Sequence, residues 1–445
     1  MAQEHSSLHL LRWHAELMSP QVVGSRCFAT LRFCFYVAAA VIVALVAVVL
    51  GVRENEALRH GRGIDVPEGL LGKNVFITGS TSGIGFTTAV RLCTMGAHVV
   101  VHGPDEHRTQ RAAREVQQRA DSRGGWGSGT ATPLAARLDD FAAVHRLSLQ
   151  TKEVFPHVDL LILNAAINYG GAPAFGPAMQ RIMESHPPGF FVGQSGLDRV
   201  MSTNHFGHFL LTMLLLPRLA PEARIVVVTG QGMWQGDWRR LVTPQRIEWE
   251  KHRKLAYLAY EDSKFANLCF GRALRQRVGA SRTVIVHDPG QIRTTMVQDR
   301  GSEVYKSRWF LRAPPDRKWR WWHMTADQAA ERMVEAAFVT RRPVPDVVYS
   351  YWMPRGIFQR LAHHSLVVLR NYWRQKLPVY TLMYQAFSFG PLYDGIGPQC
   401  GDPSFLAYYW NYSLNATGLG KYVDHKSFLA YYNAHLAKPL AALQR

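Results

Sequence analysis

The chain is poor in cysteine and contains no repeat, low-complexity tract or cluster of metal-ligating residues. Its cysteines are odd in number, widely separated and free of any CxxC pair. Disulfide scaffolds and zinc sites depend on closely and regularly spaced cysteines, so we expect neither a disulfide framework nor a metal site. The five cysteines are Cys27, Cys34, Cys93, Cys269 and Cys400.

Acidic residues are also scarce. Asp and Glu total 33 against 51 Lys and Arg in 445 residues, which gives a formal net charge of +18. Such an excess favours anionic partners such as phosphates, lipid headgroups or nucleic acid, and the charge alone does not choose among them. Hydrophobic residues make up 47% of the chain. That proportion fills a sizeable core and excludes a wholly disordered or fibrous protein.

One long apolar run is present near the start of the chain. Residues 33–52 read FCFYVAAAVIVALVAVVLGV, without a charge, between Arg32 and Arg53. A helix rises ~1.5 Å per residue, so a run of this length spans a hydrocarbon core of ~30 Å. We predict a single-pass transmembrane anchor; a cleaved signal peptide and a buried globular helix are the alternatives. The flanking charges are nearly balanced and slightly favour a cytosolic large domain.

A glycine-rich turn follows the first apolar strand of the large domain. Residues 73–77 predict a strand that runs into Thr78-Gly79-Ser80-Thr81-Ser82-Gly83-Ile84-Gly85, then a helix to Met95 and a second strand over 97–101. This order is a βαβ unit. Glycines there let the backbone approach a pyrophosphate, whose charge lies against the helix N-terminus. The pattern therefore predicts a dinucleotide-binding turn.

Strands and helices continue to alternate beyond this unit. Apolar strands are predicted at 158–163, 224–229 and 283–286, with helices at 197–215 and 260–278. The pattern predicts an α/β fold, a doubly wound parallel sheet of the Rossmann type, with an N-terminal transmembrane helix and an irregular or helical C-terminal extension. The predicted divisions are a tail (1–32), the anchor (33–52), a linker (53–70), the dinucleotide-binding domain (71–340) and an aromatic and basic extension (341–445).

A tyrosine and a lysine spaced four residues apart begin the last of these helices. Tyr260 and Lys264 share one helix face. An ammonium near a phenol favours the phenolate and makes the phenol a better proton donor to a developing alkoxide. Taken alone, the pair is more typical of two surface residues on a helix.

Together with the glycine turn, the pair resembles the short-chain dehydrogenase/reductase family, in particular its membrane-anchored, retinol-dehydrogenase-like members. The resemblance covers roughly residues 71–338. It rests on five ordered motifs: 78–85, 164–166 (NAA), 204–212 (NHFGHFLLT), 260–267 (YEDSKFAN) and 289–294 (PGQIRT). It implies an oxidoreductase that moves hydride between NAD(P)(H) and a lipophilic alcohol or carbonyl, such as a retinoid, a steroid or a lipid-derived ketone.

The resemblance also implies roles for individual residues. In the family a tyrosine is the general acid or base, a lysine holds the nicotinamide ribose and lowers the pKa of the tyrosine, and an asparagine supports a water-mediated proton relay. By position these are Tyr260, Lys264 and Asn204. The implied cofactor-binding residues are Thr78, Gly79, Ser80, Ser82, Gly83, Ile84, Gly85, Asp139, Asn164, Tyr260, Lys264, Pro289, Gly290 and Thr294. Structural roles for Asn164 as a strand-end cap and Asp139 as a helix N-cap are the alternatives.

One position departs from the family pattern. The family places a serine after the strand at 225–228, whereas this chain has Thr229, Gly230 and Gln231. Thr229 could supply a hydroxyl, or the Gln231 amide could donate to an oxyanion as a further catalytic group. Losing such a donor costs ~10²–10³ in rate. The alternative function is therefore a catalytically weak NAD(P)-binding membrane scaffold.

Cofactor choice depends on the end of the second strand. An acidic residue there would bind the adenosine 2′-hydroxyl and repel a 2′-phosphate, and that position is Gly103. His102, His107 and Arg108 are candidate phosphate partners, although the family's arginine is replaced by Pro104. NADP(H) is favoured over NAD(H), and Asp105 leaves NAD(H) open.

The C-terminal region is basic and rich in tryptophan. Residues 305–376 hold six of the 12 tryptophans among many Lys and Arg. This composition favours a membrane surface over nucleic acid, and a lid over the substrate pocket is a compatible alternative. The expected partners are membrane lipid and a lipophilic substrate, in the endoplasmic reticulum membrane, with no nucleic acid and with a homo-oligomer left open. Asn411 and Asn415 begin glycosylation motifs that matter only in a lumen.

Overall fold

The computed structural model describes residues 65–124, 129–168, 192–230, 233, 236, 258–279, 281–290, 292, 324–340, 348–349 and 400–423. The predicted tail and anchor and most of the predicted linker lie outside these residues, as does most of the basic, tryptophan-rich segment 305–376. Within the described ranges no helix has both the length and the apolar character that a membrane span requires.

A seven-stranded parallel sheet forms the centre of the molecule. The strands are β1 (Asn74–Ile77), β2 (His98–Gly103), β3 (Thr130–Ala135), β4 (Val158–Leu163), β5 (Leu219–Val228), β6 (Thr283–Asp288) and β7 (Val348–Tyr349). Their order across the sheet is β3-β2-β1-β4-β5-β6-β7, and each adjacent pair is parallel. The predicted doubly wound parallel sheet is confirmed.

Helices connect the strands and cover both faces of the sheet. They are α1 (Gly83–Thr94), α2 (Glu106–Ser122), α3 (Phe141–Val154), α4 (residues 199–215), α5 (Leu258–Arg275), α6 (Ala326–Ala337) and α7 (Pro403–Thr417). Helix α4 is α-helical at Arg199–Met201 and at Gly207–Leu215, and is π-helical at Ser202–Phe206 between them.

The sheet separates two hydrophobic cores because alternate residues of each strand point to opposite faces. In β1, for example, Phe76 belongs to the core under α3, α4, α5 and α7, whereas Val75 and Ile77 belong to the core under α1, α2 and α6. The central strands are buried on both sides. This explains their nearly continuous runs of Val, Ile and Leu.

Side-chain caps fix where several helices begin. The carboxylate of Asp105 accepts the backbone N–H of Arg108 at 2.8 Å at the start of α2, and that of Asp140 accepts the N–H of Ala143 at 3.0 Å at the start of α3. Satisfying one otherwise unpaired N–H in this way stabilises a helix by ~1 kcal/mol. The cap of α3 is Asp140, so the alternative N-cap role for Asp139 is wrong.

The described part of the C-terminal extension belongs to the same folded unit as the sheet. Strand β7 pairs with β6 beyond residue 340, so the predicted boundary at that residue cuts through the sheet. Helix α7 packs against α4 and α5 and buries Tyr409 and Trp410 almost completely. Aromatic side chains of this size bury large apolar areas. The extension therefore contributes to the main core.

A disulfide joins this extension to the centre of α5. Cys269 and Cys400 are bonded across 131 residues, with their Cα atoms 5.2 Å apart, and both are buried. The expectation that no disulfide would follow from the scattered cysteines is wrong. Spacing in the sequence gives no sign of a pair that only the packing of α7 on α5 brings together.

Candidate active site

The site lies where the strand order reverses. β1 and β4 are neighbours at the centre of the sheet, and the chain leaves them towards opposite sides. In open parallel sheets this switch point forms a crevice at the carboxyl ends of the strands. Thr78 follows β1 and Asn164 follows β4, so both predicted cofactor-binding residues lie at this crevice.

The hydroxyl of Thr78 joins the ends of the two strands. Its oxygen accepts the backbone N–H groups of Asn164 at 2.8 Å and Ala165 at 3.0 Å. The side-chain amide of Asn164 donates in return to the carbonyls of Thr78 at 3.0 Å and Gly79 at 3.2 Å. Asn164 therefore hydrogen-bonds the backbone of the glycine turn, which agrees with its alternative role at the end of the strand. Its contact with a cofactor stays a prediction.

His208 connects the same hydroxyl to helix α4. Its Nδ1 is 3.0 Å from the carbonyl oxygen of Asn204, and its Nε2 is 2.8 Å from the hydroxyl of Thr78. A carbonyl can only accept, so Nδ1 carries the proton and Nε2 accepts from Thr78. Burial lowers the pKa of His208 to about 3, which keeps the ring neutral as this arrangement requires.

Sequence reasoning missed His208 as a functional residue. It lies four residues after Asn204, on the same face of α4. That spacing from a candidate catalytic residue was the available signal. A histidine in an apolar run, however, has no predictable partner until β1 and α4 are packed together.

The glycine turn is closely packed, as a phosphate-binding turn requires. Gly79 and Gly83 have φ of +66° and +60°, in the left-handed region that favours glycine. A Cβ on Gly85 would lie 2.4 Å from the carbonyl oxygen of Gly79 and 2.5 Å from Nδ2 of Asn164. The hydroxyl of Ser80 is buried and donates to the carbonyl of Ile77 at 2.8 Å. Ser80 thus shapes the turn from inside rather than facing a ligand.

The N-terminus of α1 is free of side-chain caps. Ser82 is the N-cap residue and makes no capping hydrogen bond, and Ile84 lies in the first turn after Gly83. The leading N–H groups of such a helix and its positive dipole end form an anion site. With the close approach that the glycines permit, these residues fit the pyrophosphate of a dinucleotide.

Asn204 lies in the π-helical turn of α4 and ties three elements together. Its side-chain oxygen accepts the N–H of Ile167 at 2.7 Å, and its Nδ2 donates to the carbonyl of Ile167 and to the hydroxyl of Ser263, both at 3.0 Å. Ser263 in turn donates to the carbonyl of Tyr260 at 2.7 Å. Short π-helical turns are frequent at functional sites. Here the turn places Asn204 between the loop after β4 and the Tyr260 helix.

Tyr260 and Lys264 meet on the first turns of α5, as predicted. The ammonium of Lys264 is 5.4 Å from the centre of the Tyr260 ring and 3.4 Å from the carbonyl oxygen of Val228, at the end of β5. The lysine is 2% exposed. Burial lowers its pKa to about 8, and the nearby carboxylate of Asp288 acts in the opposite direction.

Gly230 is the residue that faces the phenol where a serine is expected. A Cβ built on Gly230 lies 3.8 Å from the Tyr260 hydroxyl, and among the described residues apart from its chain neighbours no atom lies closer, so a Cβ fits there at ordinary van der Waals distance. Thr229 does not supply the missing hydroxyl, because its buried Oγ1 donates to the carbonyl of Lys264 at 2.7 Å. Gln231 lies outside the described residues, and its catalytic role stays a prediction.

The remaining predicted residues are placed as follows. Pro289 and Gly290 follow β6 at the same edge of the sheet, and the N–H of Gly290 donates to Asp288 at 3.0 Å.

The carboxylate of Asp139 is buried against Arg137 at 2.8 Å and Arg199 at 3.3 Å. Its contact with the cofactor stays a prediction. Thr294 lies outside the described residues.

His102 is not a phosphate partner. It is 2% exposed, accepts the N–H of Gly79 at Nδ1 (3.3 Å) and donates from Nε2 to the carbonyl of Ala136 at 3.1 Å. Burial lowers its pKa to about 4, so the ring is neutral. The earlier expectation is wrong because His102 points into the fold between the glycine turn and the end of β3.

Comparisons with known proteins give the relatives of this chain. The family model described as short chain dehydrogenase matches residues 73–236. Retinol dehydrogenase 14 is 33% identical over 232 residues in Mus musculus, which is 51% of this chain and 63% of that protein. The Homo sapiens protein is 33% identical over 248 residues, which is 54% of this chain and 67% of that protein. The match thus spans somewhat less than two thirds of the mouse relative.

Two further matches extend the comparison. Polyprenol dehydrogenase of Mus musculus is 28% identical over 278 residues, 60% of this chain and 74% of that protein. A solved structure described as a short chain dehydrogenase/reductase family protein is 23% identical, with a TM-score of 0.42, and the match covers 63% of this chain and 96% of that chain.

Replacing His208 tests whether it positions Thr78. His208→Leu leaves the Thr78 hydroxyl and the Asn204 carbonyl without this partner, so we expect the free energy of unfolding to fall by about 1–3 kcal/mol. We also expect weaker dinucleotide binding. His208→Gln keeps one donor and one acceptor and should recover part of both losses. Calorimetry and cofactor titration measure the two effects. A leucine variant with native stability and affinity contradicts the assignment.

The buried lysine predicts a pH dependence. Lys264 loses its proton as the pH rises through about 8, and its ammonium is the form that assists Tyr260, so kcat/KM should fall above that pH. Asp288→Asn removes the carboxylate that raises the pKa and should move this limb to lower pH. Initial rates across a pH series measure it. A profile that stays flat well beyond pH 8, or a limb that Asp288→Asn leaves in place, argues against this role.

Proposed function

The chain belongs to the short chain dehydrogenase family, and we propose that it is a membrane-anchored oxidoreductase that transfers hydride between NADP(H) and a lipophilic alcohol or carbonyl. The observation that carries the proposal is the meeting of Tyr260 and Lys264 with the Thr78 turn, through Asn204 and His208. A proton donor and a dinucleotide-binding turn at one sheet edge suit hydride transfer coupled to protonation.

The chain's own residues account for the proton side of the reaction. A bound nicotinamide would supply or receive the hydride. Tyr260 gives its phenolic proton to the oxygen of a carbonyl substrate, or takes one from an alcohol, and the positive charge of Lys264 favours the phenolate left behind. Asn204 holds the loop after β4 against the start of α5, the helix that carries the phenol.

Tyr260→Phe tests the proton donor. We expect the variant to lose turnover and to bind the dinucleotide almost normally, because the glycine turn is unchanged. Lys264→Ala should weaken both. Cofactor oxidation with a panel of retinoid, steroid and polyprenyl carbonyls measures turnover, and fluorescence titration measures binding; Tyr408→Phe, on the exposed face of α7, is the control. Normal turnover in Tyr260→Phe would show the assignment to be wrong.

Gly230 tests whether the absence of the family's serine limits turnover. A serine at this position would place a hydroxyl near Tyr260 without a close contact at its Cβ, so Gly230→Ser should raise turnover about tenfold or more, equivalent to ~1.4 kcal/mol of transition-state stabilisation. Gly230→Ala adds the Cβ alone and is the matched control. If the serine variant gains nothing over the alanine variant, substrate oxygen does not lie at this position.

NADP(H) is the cofactor that we favour. Position 103 has no room for an acidic side chain, since a Cβ there would lie 2.4 Å from Cγ2 of Thr81 and 2.8 Å from Oγ1 of Thr109. The exposed guanidinium of Arg108 donates to the hydroxyl of Ser82 at 3.3 Å, beside the glycine turn. The carboxylate of Asp105 caps α2, which argues against its use for the ribose.

Arg108→Ala tests this preference. Removing the guanidinium should raise the KM for NADPH about tenfold and leave that for NADH almost unchanged, because only the former carries a 2′-phosphate for a charge-assisted hydrogen bond. Arg111→Ala, an exposed arginine on the same helix, is the control. Equal losses with both cofactors, or no loss with either, count against the preference.

The substrate class and the membrane site rest on the sequence and on the relatives. The apolar run at 33–52 supports an anchor, and the names of retinol dehydrogenase 14 and polyprenol dehydrogenase support a long apolar alcohol or its carbonyl product. Membrane lipid stays a proposed partner of the basic segment at 305–376. We place the enzyme in the endoplasmic reticulum membrane. The Cys269–Cys400 disulfide favours the luminal side over the cytosolic side expected from the flanking charges.

A further inference from the structure

We propose that Asn411 and Asn415 are N-glycosylation sites and that the folded domain lies in an oxidising lumen. Two independent observations carry this inference. One is the placement of both acceptor motifs on the exposed face of α7. The other is the disulfide that ties the start of this helical region to the core.

Helix α7 presents both acceptor asparagines to solvent. Ser404, Tyr408, Asn411 and Asn415 are exposed and follow one another at intervals of four, three and four residues, which places them along one face of the helix. The opposite face carries Tyr409 and Trp410 into the core. A sugar chain on either asparagine amide would therefore extend away from the sheet and from the active site.

Each asparagine begins an Asn-X-Ser/Thr motif, and the chain contains only these two. The hydroxyl residues of the motifs, Ser413 and Thr417, are buried and donate to the carbonyls of Tyr409 at 2.9 Å and Ser413 at 2.8 Å. Both hydroxyls thus also make hydrogen bonds within the folded helix. Under this proposal the sugar transfer has to precede folding of this C-terminal helix, because the hydroxyls of the motifs are buried once it has folded. The motif and a luminal address are its only other requirements.

The disulfide points to the same compartment by a different chemistry. Cys269 lies within the Tyr260 helix and Cys400 lies just before α7, and both are buried where they bond. Forming the bond passes two electrons and two protons to a disulfide oxidant. Such bonds persist in the endoplasmic reticulum lumen and outside the cell, whereas cytosolic thiols are kept reduced. Among the described residues Cys93 remains a free, buried thiol.

The transfer step balances with a lipid-diphosphate-linked oligosaccharide as the donor. The side-chain nitrogen of each asparagine forms a bond to the anomeric carbon of the first sugar, the bond from that carbon to the diphosphate oxygen breaks, and the amide nitrogen loses one proton. The lipid diphosphate leaves. The donor and its transferase face the lumen, so modification reports the side of the membrane on which α7 lies.

The experiment expresses the full chain in cultured eukaryotic cells and compares its gel mobility before and after peptide-N-glycosidase treatment. We expect two sugar-dependent mobility steps in the native chain, one in Asn411→Gln or Asn415→Gln, and none in the double variant. Ser404→Gln, on the same exposed face but outside any motif, should keep both steps. Intact microsomes are treated with protease in parallel, and the domain should be protected until detergent is added.

Alkylation of the cysteines tests on which side of the membrane the domain lies, even if a glycosylation variant folds poorly. Alkylation of the native chain under denaturing conditions should label Cys269 and Cys400 only after reduction, and Cys93 without it. A chain with no glycosidase shift, with a protease-accessible domain or with freely alkylated Cys269 and Cys400 overturns the proposal. A single mobility step, lost in one variant only, overturns the site at the other asparagine and supports the luminal assignment.

Discussion

The hydroxyl of Thr78 is the contact on which the geometry of the site depends. It accepts two backbone N–H groups from the end of β4 and donates to His208 on α4, so one buried oxygen fixes three elements. Burying a hydroxyl costs free energy unless its hydrogen-bonding capacity is used, and here it is fully used. The same histidine donates a hydrogen bond to the carbonyl of Asn204. The turn that would cradle a pyrophosphate and the helix that positions the phenol are thereby set relative to each other.

The chemistry of the site depends on a lysine whose ammonium loses hydration free energy because it is buried. Lys264 is almost fully buried beside Tyr260, and the carboxylate of Asp288 partly offsets the loss of hydration. A cation in such surroundings acts more strongly on a neighbouring phenol than it would in water. Gly230 lies next to the phenol hydroxyl and carries no side chain, and a Cβ there would make only ordinary van der Waals contacts with Tyr260 and Lys264. Among the described residues the site therefore keeps the proton donor and its activating charge, and position 230 offers no side chain to contact substrate oxygen.

Local patterns predicted the centre of this fold well, because β1, the glycine turn and α1 are contiguous and obey simple rules for strands, turns and helices. They missed β3, whose sequence TATPLA contains Pro133 and no long apolar run; a proline is tolerated in an edge strand. They also missed everything that depends on packing between distant segments. The Cys269–Cys400 bond, the role of His208 and the inward orientation of His102 each require a partner that the sequence does not place nearby.

The central claim is that Tyr260, Lys264 and the Thr78 turn together perform hydride transfer rather than dinucleotide binding alone. The most direct test incubates the purified full chain with NADPH deuterated at the transferable position of the nicotinamide and with retinal or a polyprenyl aldehyde, and then analyses the alcohol by mass spectrometry. We expect one deuterium on the former carbonyl carbon of the product. A chain that binds NADPH tightly but yields no deuterated alcohol from any lipophilic carbonyl would contradict it and would favour a scaffold.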